Sequence, residues 1–221
     1  MTTGAPSVRS LVRAGLDRRP RPDPWLRTSL AATKCPLRVY NKATGAPGKP
    51  ASDRGLVEIA IERLIDEIAR NDESEHTVLP QRSFEIKVDG MTVRGIASLV
   101  WVGADGPDLV GNVIPVNTVN EVREEPQPEH EIEANLAAYA LGAPRWTICY
   151  VDLATGELVE HSGESDPIGA EADLEVFTDA GYWIRNRTPP RAPFESASEA
   201  ACQKCPYKTS CWERADGHPN H

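Results

Sequence analysis

The sequence lacks the features of a membrane-inserted protein and of a protein that coats nucleic acid by bulk charge. No segment approaches the run of roughly 18–20 apolar residues that a membrane helix needs. Aspartate and glutamate (33) outnumber lysine and arginine (24), and the net charge of −9 is the opposite of the basic balance of general polyanion binders. The N-terminal segment also lacks the apolar core of a secretory signal. These absences predict a cytoplasmic protein whose nucleic-acid contacts, if any, use a local basic surface.

The chain length sets the expected domain organisation. With 221 residues, of which 40% are hydrophobic, the chain is long enough to bury a core without disulfides. Arginine and proline are dense before residue 25, so we expect residues 1–24 to form a flexible arm. We expect a single domain over residues 25–214 and a short tail over residues 215–221.

The spacing of apolar residues predicts a chain of mixed helices and strands. The predicted helices are Trp25–Tyr40, Ser52–Arg70, Ile132–Leu141 and Leu174–Arg187. The predicted strands are Phe84–Val88, Val93–Val102, Leu109–Val119, Trp146–Leu153 and Leu158–Val159. Asp89-Gly90 is typical of a hairpin turn, whereas residues 162–173 are acidic and predicted to be a loop. Residues 188–193 are predicted to be an extended link. This order favours an α/β or α+β core around one mixed sheet.

Three of the five cysteines lie close together near the C-terminus. Cys202, Cys205 and Cys211 form a C-x2-C-x5-C pattern, which in a cytoplasmic chain indicates a metal site rather than disulfides. Thiolate ligands suit zinc or an iron–sulfur cluster, and both usually need a fourth ligand. The candidates for that ligand are Cys35, Cys149, His218 and His221.

Cys35 and Cys149 lie in different sequence surroundings. Cys149 lies in an apolar strand, which favours a buried core thiol. Cys35 precedes Pro36 in a polar turn and is the more ligand-like of the two. A site that includes Cys35 would tie together the two ends of the chain, and such long-range closure stabilises a fold.

The two cysteine segments resemble a known family. Cys35-Pro-Leu-Arg-x-Tyr40 and Cys202-x2-Cys205-Pro-Tyr-x3-Cys211 resemble the four-cysteine pattern of the RecB-like PD-(D/E)XK iron–sulfur nucleases, which include the CRISPR-associated RecB-like exonucleases and the nuclease domain of AddB. The resemblance extends from about Leu26 to Trp212. It implies an α/β, PD-(D/E)XK nuclease-like core, with a central mixed sheet flanked by helices. It also implies that a 4Fe–4S cluster joins the N- and C-terminal segments, with Cys35, Cys202, Cys205 and Cys211 as its ligands. Zn2+ is the alternative that the thiolate ligands themselves allow.

The same resemblance locates the positions at which this family carries out its chemistry. Family members place carboxylates and a lysine around one or two Mg2+ or Mn2+ ions. The corresponding positions here are Glu58, Ser98, Pro115, Asn117, Asn135 and Tyr139. Serine, proline and asparagine cannot supply the charges of the family's acids and lysine. The resemblance therefore implies a nuclease fold that is degenerate at its catalytic positions.

Three functions follow as expectations. The first is a catalytically inactive protein that binds nucleic acid, such as single-stranded DNA, or acts as an accessory subunit beside a helicase, a nuclease or a defence complex. The second is a DNA exonuclease with relocated catalytic residues that uses Mg2+ or Mn2+. Its acids and base would come from Glu85, Lys87, Asp89, Asp105, Asp108 and Glu58. The third is a protein–protein scaffold. Strand alternation places Glu85 and Lys87 on the face opposite Phe84, which favours an exposed charged pair over a catalytic one.

Basic residues also occur near both cysteine segments. Arg9, Arg13, Arg18, Arg19 and Arg21 lie in the N-terminal arm, and Lys204, Lys208 and Arg214 lie near the C-terminal cysteines. Tyr207 and Trp212 alternate with this second group, so stacking on single-stranded nucleic acid is one interpretation. The acidic balance of the chain favours the other, in which the two aromatic side chains shield the cluster from solvent.

Overall fold

The computed structural model describes residues 26–46, 48, 56–71, 76–191, 193–194, 196 and 198–212. The expected arm and tail lie outside these residues. The helices are α1 (Pro36–Ala43), α2 (Leu56–Asn71), α3 (Pro128–Leu141), α4 (Pro167–Arg185), α5 (Ala200–Gln203) and α6 (Lys208–Trp212). The strands are β1 (Leu26–Arg27), β2 (Thr77–Val88), β3 (Met91–Gly103), β4 (Gly106–Val116), β5 (Arg145–Asp152) and β6 (Leu158–Glu164). Two short 3-10 helices span Thr28–Thr33 and Val119–Val122.

The strands form one six-stranded mixed sheet, as the order of elements predicts. β2, β3 and β4 form an antiparallel meander, and β5 pairs with β4 in parallel and with β6 antiparallel. The chain between β4 and β5 contains α3, because parallel neighbours need a crossover connection. The short strand β1 pairs in parallel with the start of β3.

One continuous core joins the sheet to the helices. α3 contributes a buried row from Ala134 to Ala138 and packs against β4 and β5. Val110 and Ile148 on the sheet and Phe177 on α4 are fully buried in the same cluster. α1 packs against α4. No helix among the described residues is long and apolar enough to cross a membrane.

The β2–β3 hairpin confirms the turn chemistry expected from its sequence. Asp89 and Gly90 both have positive φ, at 48° and 81°. Two such residues match the twist of the flanking strands in a tight hairpin. Phe84 and Ile86 are buried, while the intervening Glu85 is exposed, so the alternation predicted for this strand is also confirmed.

The expected helix Trp25–Tyr40 is wrong over its first half. Leu26–Arg27 is a strand, a 3-10 helix follows, and the α-helix begins only at Pro36. Lys34 has a left-handed backbone (φ 48°) and Cys35 is extended, which separates the two helical segments. Proline is favoured at the first position of a helix and breaks its interior, so Pro36 starts a new helix.

The expected loop at residues 162–173 is also wrong. β6 continues to Glu164 and α4 begins at Pro167. Asp166 is the N-cap of α4, and its side chain accepts a hydrogen bond from the Gly169 amide. This Asp-Pro pair is a helix start, and the acidic composition around it concealed the signal. In addition, α3 begins about one turn earlier than expected, and β4 ends at Val116.

Candidate functional site

Four cysteines from the two ends of the described chain line one small cavity. Cys35 is the N-cap of α1, Cys202 lies in α5, Cys205 lies in the following turn, and Cys211 lies in α6. This cysteine cavity is also lined by Thr33, Leu37, Arg38, Phe194, Lys208 and Trp212. The fold therefore brings together the four cysteines that the family pattern singles out, and it does so through the contact between α1 and α4.

The surroundings of Cys35 and Cys211 favour the neutral form of these two thiols. Burial raises the pKa of Cys35; the Arg38 backbone amide opposes this effect, and proximity to Cys205 and Cys202 adds to it. Burial also raises the pKa of Cys211 to about 11, and the neighbouring Cys205 and Cys35 contribute. Several thiolates in so small an apolar space repel one another, and a bound cation would remove that repulsion.

Two polar groups beside the cysteine cavity bear on what it can hold. The Nε atom of Arg38 is buried and has no hydrogen-bond partner among the described residues. The buried Asn41 donates a hydrogen bond from Nδ2 to the Sγ atom of Cys211 at 3.4 Å. A buried donor without an acceptor is costly, so Arg38 indicates an acceptor that the described part of the polypeptide does not provide. Four thiols, an apolar lining and a spare donor are the chemistry that an iron–sulfur cluster needs.

Within the part of the chain that the structure describes, no group of three or more His, Cys, Asp or Glu side chains, the four cysteines included, is arranged to hold a metal ion. The four thiols line the walls of a cavity.

The remaining candidate ligands lie apart from the cysteine cavity or outside the described residues. Cys149 is half-buried in β5, where burial and then the nearby Glu160 raise its pKa. It does not line the cysteine cavity. His218 and His221 lie outside the described residues, as do Arg214 and the arginines of the expected arm.

The aromatic residues near the cysteines pack inward. Trp212 and Phe194 line the cysteine cavity. The Tyr207 ring is buried and leaves no space for a side chain at Gly48, where a Cβ atom would lie 2.8 Å from the ring. This packing favours shielding of the cavity over stacking on nucleic acid.

A second candidate site lies where β3 and β4 separate. Because β2 occupies one edge of β3 along most of its length, β1 and β4 share the other edge. The β3–β4 pairing ends at Leu99 and Gly111. We call the point of separation the fork, and define it by Ser98 and Asn112. The Val113 amide donates to Ser98 Oγ at 3.1 Å, and the Ser98 amide donates to Asn112 Oδ1 at 3.4 Å.

A cavity of about 320 Å3 opens beside the fork. This fork pocket is lined by Arg27, Thr28, Ser29, Ser83, Phe84, Arg94, Gly95, Ile96, Asn112 and Glu133. Burial raises the pKa of Glu133 to about 7; Glu129 adds to the effect and Arg27 opposes it. Arg94 is held by Glu85, with 2.5 Å between Nη2 and Oε1. The pocket thus combines two arginines with one carboxyl group that changes charge near neutral pH.

Most of the positions that correspond to the family's catalytic residues lie apart from one another in the structure. Ser98 is at the fork, whereas Pro115 lies farther along β4 and Asn117 follows that strand. Asn135 binds the Asp166 backbone twice, through Nδ2 to the carbonyl at 2.9 Å and through Oδ1 from the amide at 2.8 Å.

Two further positions do not contribute to the fork pocket in the described structure. Tyr139 packs against the core. Glu58 belongs to α2, but its side chain is outside the described part.

The acidic residues of the exonuclease alternative are dispersed. Glu85 binds Arg94 and lies 3.7 Å from Lys87, and both side chains are exposed. Asp89 binds Arg185 at 2.5 Å, Asp108 binds His76 at 2.9 Å, and Asp105 is exposed in the next turn.

Sequence reasoning missed the side chains that line the fork pocket. Arg27, Arg94, Asn112 and Glu133 come from four elements, and no short motif joins them. One weak signal was present, because Glu133 lies on the same helix as Asn135 and Tyr139, two of the positions that the resemblance locates. Asn135 instead fastens α3 to the start of α4.

The fold has counterparts among solved structures. No protein-family model and no curated protein sequence matches the chain. The crystal structure of SSO0001 matches with a TM-score of 0.56 and 14% identity, over 92% of this chain and 95% of that one. An alkaline exonuclease, LHK-Exo from Laribacter hongkongensis, matches with a TM-score of 0.50 and 10% identity, over 74% of this chain and 93% of that one. The chain has a nuclease-like fold. At these identities the likeness concerns the fold alone, and the mixed α/β core with helices flanking a central sheet, expected from the sequence, is consistent with it.

Proposed function

We propose that this nuclease-fold protein has no nuclease activity and binds single-stranded nucleic acid as an accessory subunit in DNA processing or defence. The observation that carries the proposal is the composition of the fork. Ser98 and Asn112 form it, and Glu133 is the one acidic side chain among the described residues that line its pocket. A helicase or an active nuclease is the kind of partner that such a subunit would serve.

The fork pocket is poorly suited to divalent-metal catalysis. Mg2+ requires several oxygen ligands, usually including carboxylates, around a near-octahedral site. The Ser98 hydroxyl oxygen already accepts the Val113 amide, and Glu133 lies near the guanidinium group of Arg27. A second guanidinium group, that of Arg94, lines the same pocket and would repel a cation.

The proposal includes a 4Fe–4S cluster held by Cys35, Cys202, Cys205 and Cys211. The support is the gathering of these thiols around one apolar cavity, together with the spare Nε–H donor of Arg38. The cluster would supply iron–thiolate bonds that link the segment before α1 to the segment after α4. Arg38 would donate to a cluster sulfur, and Asn41 would keep its hydrogen bond to Cys211.

Anaerobic purification with iron and sulfide analysis tests the cluster. We expect the wild-type protein to hold about four irons and four sulfides per chain, with the broad visible absorbance of thiolate-bound iron. Cys35→Ser should lose most of the iron, whereas the matched control Cys149→Ser should retain it because Cys149 lies outside the cavity. Stoichiometric zinc in a colourless protein, or equal sensitivity of the two variants, would contradict the cluster.

Nuclease and binding assays test the rest of the proposal. With Mg2+ or Mn2+ and single- or double-stranded DNA, we expect no cleavage above the background of buffer. We also expect binding to single-stranded DNA that weakens as salt rises, because phosphate contacts release counterions. Metal-dependent cleavage that Glu85→Gln or Glu133→Gln abolishes would support the exonuclease alternative. Absence of binding at low salt would support the protein–protein scaffold.

A further inference from the structure

The fork pocket carries an arrangement of charges that neither the cysteine cavity nor the absence of catalysis explains. Arg27 and Arg94 are direct neighbours across the β1–β3 pair, and Glu85 is the direct neighbour of Arg94 across the β2–β3 pair. Adjacent strands are about 4.8 Å apart. Two guanidinium groups and one carboxylate group therefore form a row across three strands, with Glu133 approaching from α3.

This row suits a tetrahedral anion better than a metal ion. A guanidinium group presents several N–H donors in a plane and binds phosphate oxygens in pairs. Two such groups on neighbouring strands can contact different oxygens of one phosphate. The hydroxyl groups of Thr28, Ser29 and Ser83 line the same pocket and add neutral donors.

The two carboxyl groups act as competitors for the arginines. Glu85 binds Arg94 at 2.5 Å, but its side chain is 43% exposed, so solvent screens the pair and an incoming phosphate can displace it. Glu133 is the more buried carboxyl group, and burial raises its pKa to about 7. It can therefore bind a proton when an anion enters the pocket and donate that proton in a hydrogen bond.

The volume of the pocket limits the size of the ligand that it can hold. About 320 Å3 lies at the small end of the range of roughly 300–1,000 Å3 typical of small-molecule sites. A phosphate group with part of its sugar fits such a space. Ser29 and Ser83 are exposed, so the pocket opens to solvent and a longer chain can leave through the opening.

We infer that the fork pocket binds a phosphate group without a divalent cation, through Arg27 and Arg94. The inference rests on the proposed function in one respect, since it takes the phosphate to belong to a nucleic-acid strand. Inorganic phosphate offers the same chemistry, and the experiment separates the two sources.

The test measures binding of a short single-stranded DNA with a 5′-phosphate to the full chain in the presence of EDTA, with inorganic phosphate titrated separately by calorimetry. Arg94→Gln and Arg27→Gln should each weaken DNA binding by about tenfold or more. Each should also reduce the slope of log affinity against log salt by about one. The matched control Arg145→Gln, which removes an exposed arginine on β5, should change the affinity little.

Two further variants test whether weaker binding by the arginine variants is caused by loss of the fold. Glu85→Gln and Glu133→Gln leave both arginines in place and remove a competing carboxylate. Both should strengthen phosphate binding at pH values above neutrality, an outcome that a misfolded protein cannot produce. Thermal unfolding of every variant accompanies the binding measurements.

Each contrary outcome has a distinct meaning. If both arginine variants bind DNA as tightly as Arg145→Gln does, the inference is overturned and the proposed function still stands. DNA binding abolished by EDTA would overturn the cation-free site. If the wild type binds inorganic phosphate through the arginines but no DNA, the pocket stands and the nucleic-acid function fails. Binding of neither ligand would overturn both.

Discussion

Replacing Glu133 by glutamine should change how the stability of this protein depends on pH. Burial holds the pKa of Glu133 at about 7, against an ordinary value of 4.5. Between these two pH values the folded chain retains a proton that the unfolded chain has released. Stability therefore falls as pH rises through this window, and the loss is complete above the folded-state pKa.

The magnitude follows from the two pKa values. Each pH unit between them costs about 1.4 kcal/mol, so the whole window costs about 3 kcal/mol. A glutamine side chain at this position stays neutral at every pH and escapes this cost. For a chain of this size we expect Glu133→Gln to raise Tm relative to wild type by about 6–12 °C at alkaline pH. At pH values below the ordinary pKa of glutamate the two proteins should differ little.

Urea unfolding over a series of pH values provides the assay, with Glu131→Gln as the matched control on an exposed position of the same helix. The wild type and the control should lose stability together as pH rises from about 5 to about 8, while Glu133→Gln remains nearly level. If the three proteins show parallel curves, the carboxyl group of Glu133 is not held protonated and the description of the fork pocket is incorrect.

Three other predictions concern positions where the structure assigns a definite role. Asn135→Ala should destabilise the fold by about 2 kcal/mol in urea unfolding, because both hydrogen bonds to the Asp166 backbone are lost; an unchanged midpoint would refute that role. Gly163→Ala should lower Tm, since its Cβ atom would overlap the buried Trp146 indole, at a typical cost of about 1–3 kcal/mol; an unaltered Tm would show that the indole can move. The backbone amides of Thr155 and Ala154 hold the pKa of Asp152 below its usual range, so wild-type stability should fall as pH drops through the ordinary value near 3.8. Asp152→Asn should lack this acid-dependent loss in the same urea series, and equal acid sensitivity of the two proteins would count against it.

The elements that sequence reasoning located correctly depend on near neighbours in the chain. The Asp89-Gly90 turn requires two residues that accept positive φ, and the adjacent alternation around Phe84 orients the strand. Errors arose where proline had two interpretations. Pro36 and Pro167 each begin a helix, whereas the sequence pattern predicts a helix that continues through Pro36 and a loop that contains Pro167.

The order of elements, the mixed sheet and the cysteine pattern can be predicted from the sequence, because each depends on spacing within short segments. The composition of the fork follows instead from how distant segments pack. Arg27 meets Arg94 because β1 shares an edge of β3 with β4, and Glu133 reaches them from a helix that packs across the sheet. The gathering of Cys35 with the three C-terminal cysteines likewise depends on the packing of α1 against α4. Contacts of this kind join distant segments through burial and strand register. No pattern within a short stretch of sequence encodes them.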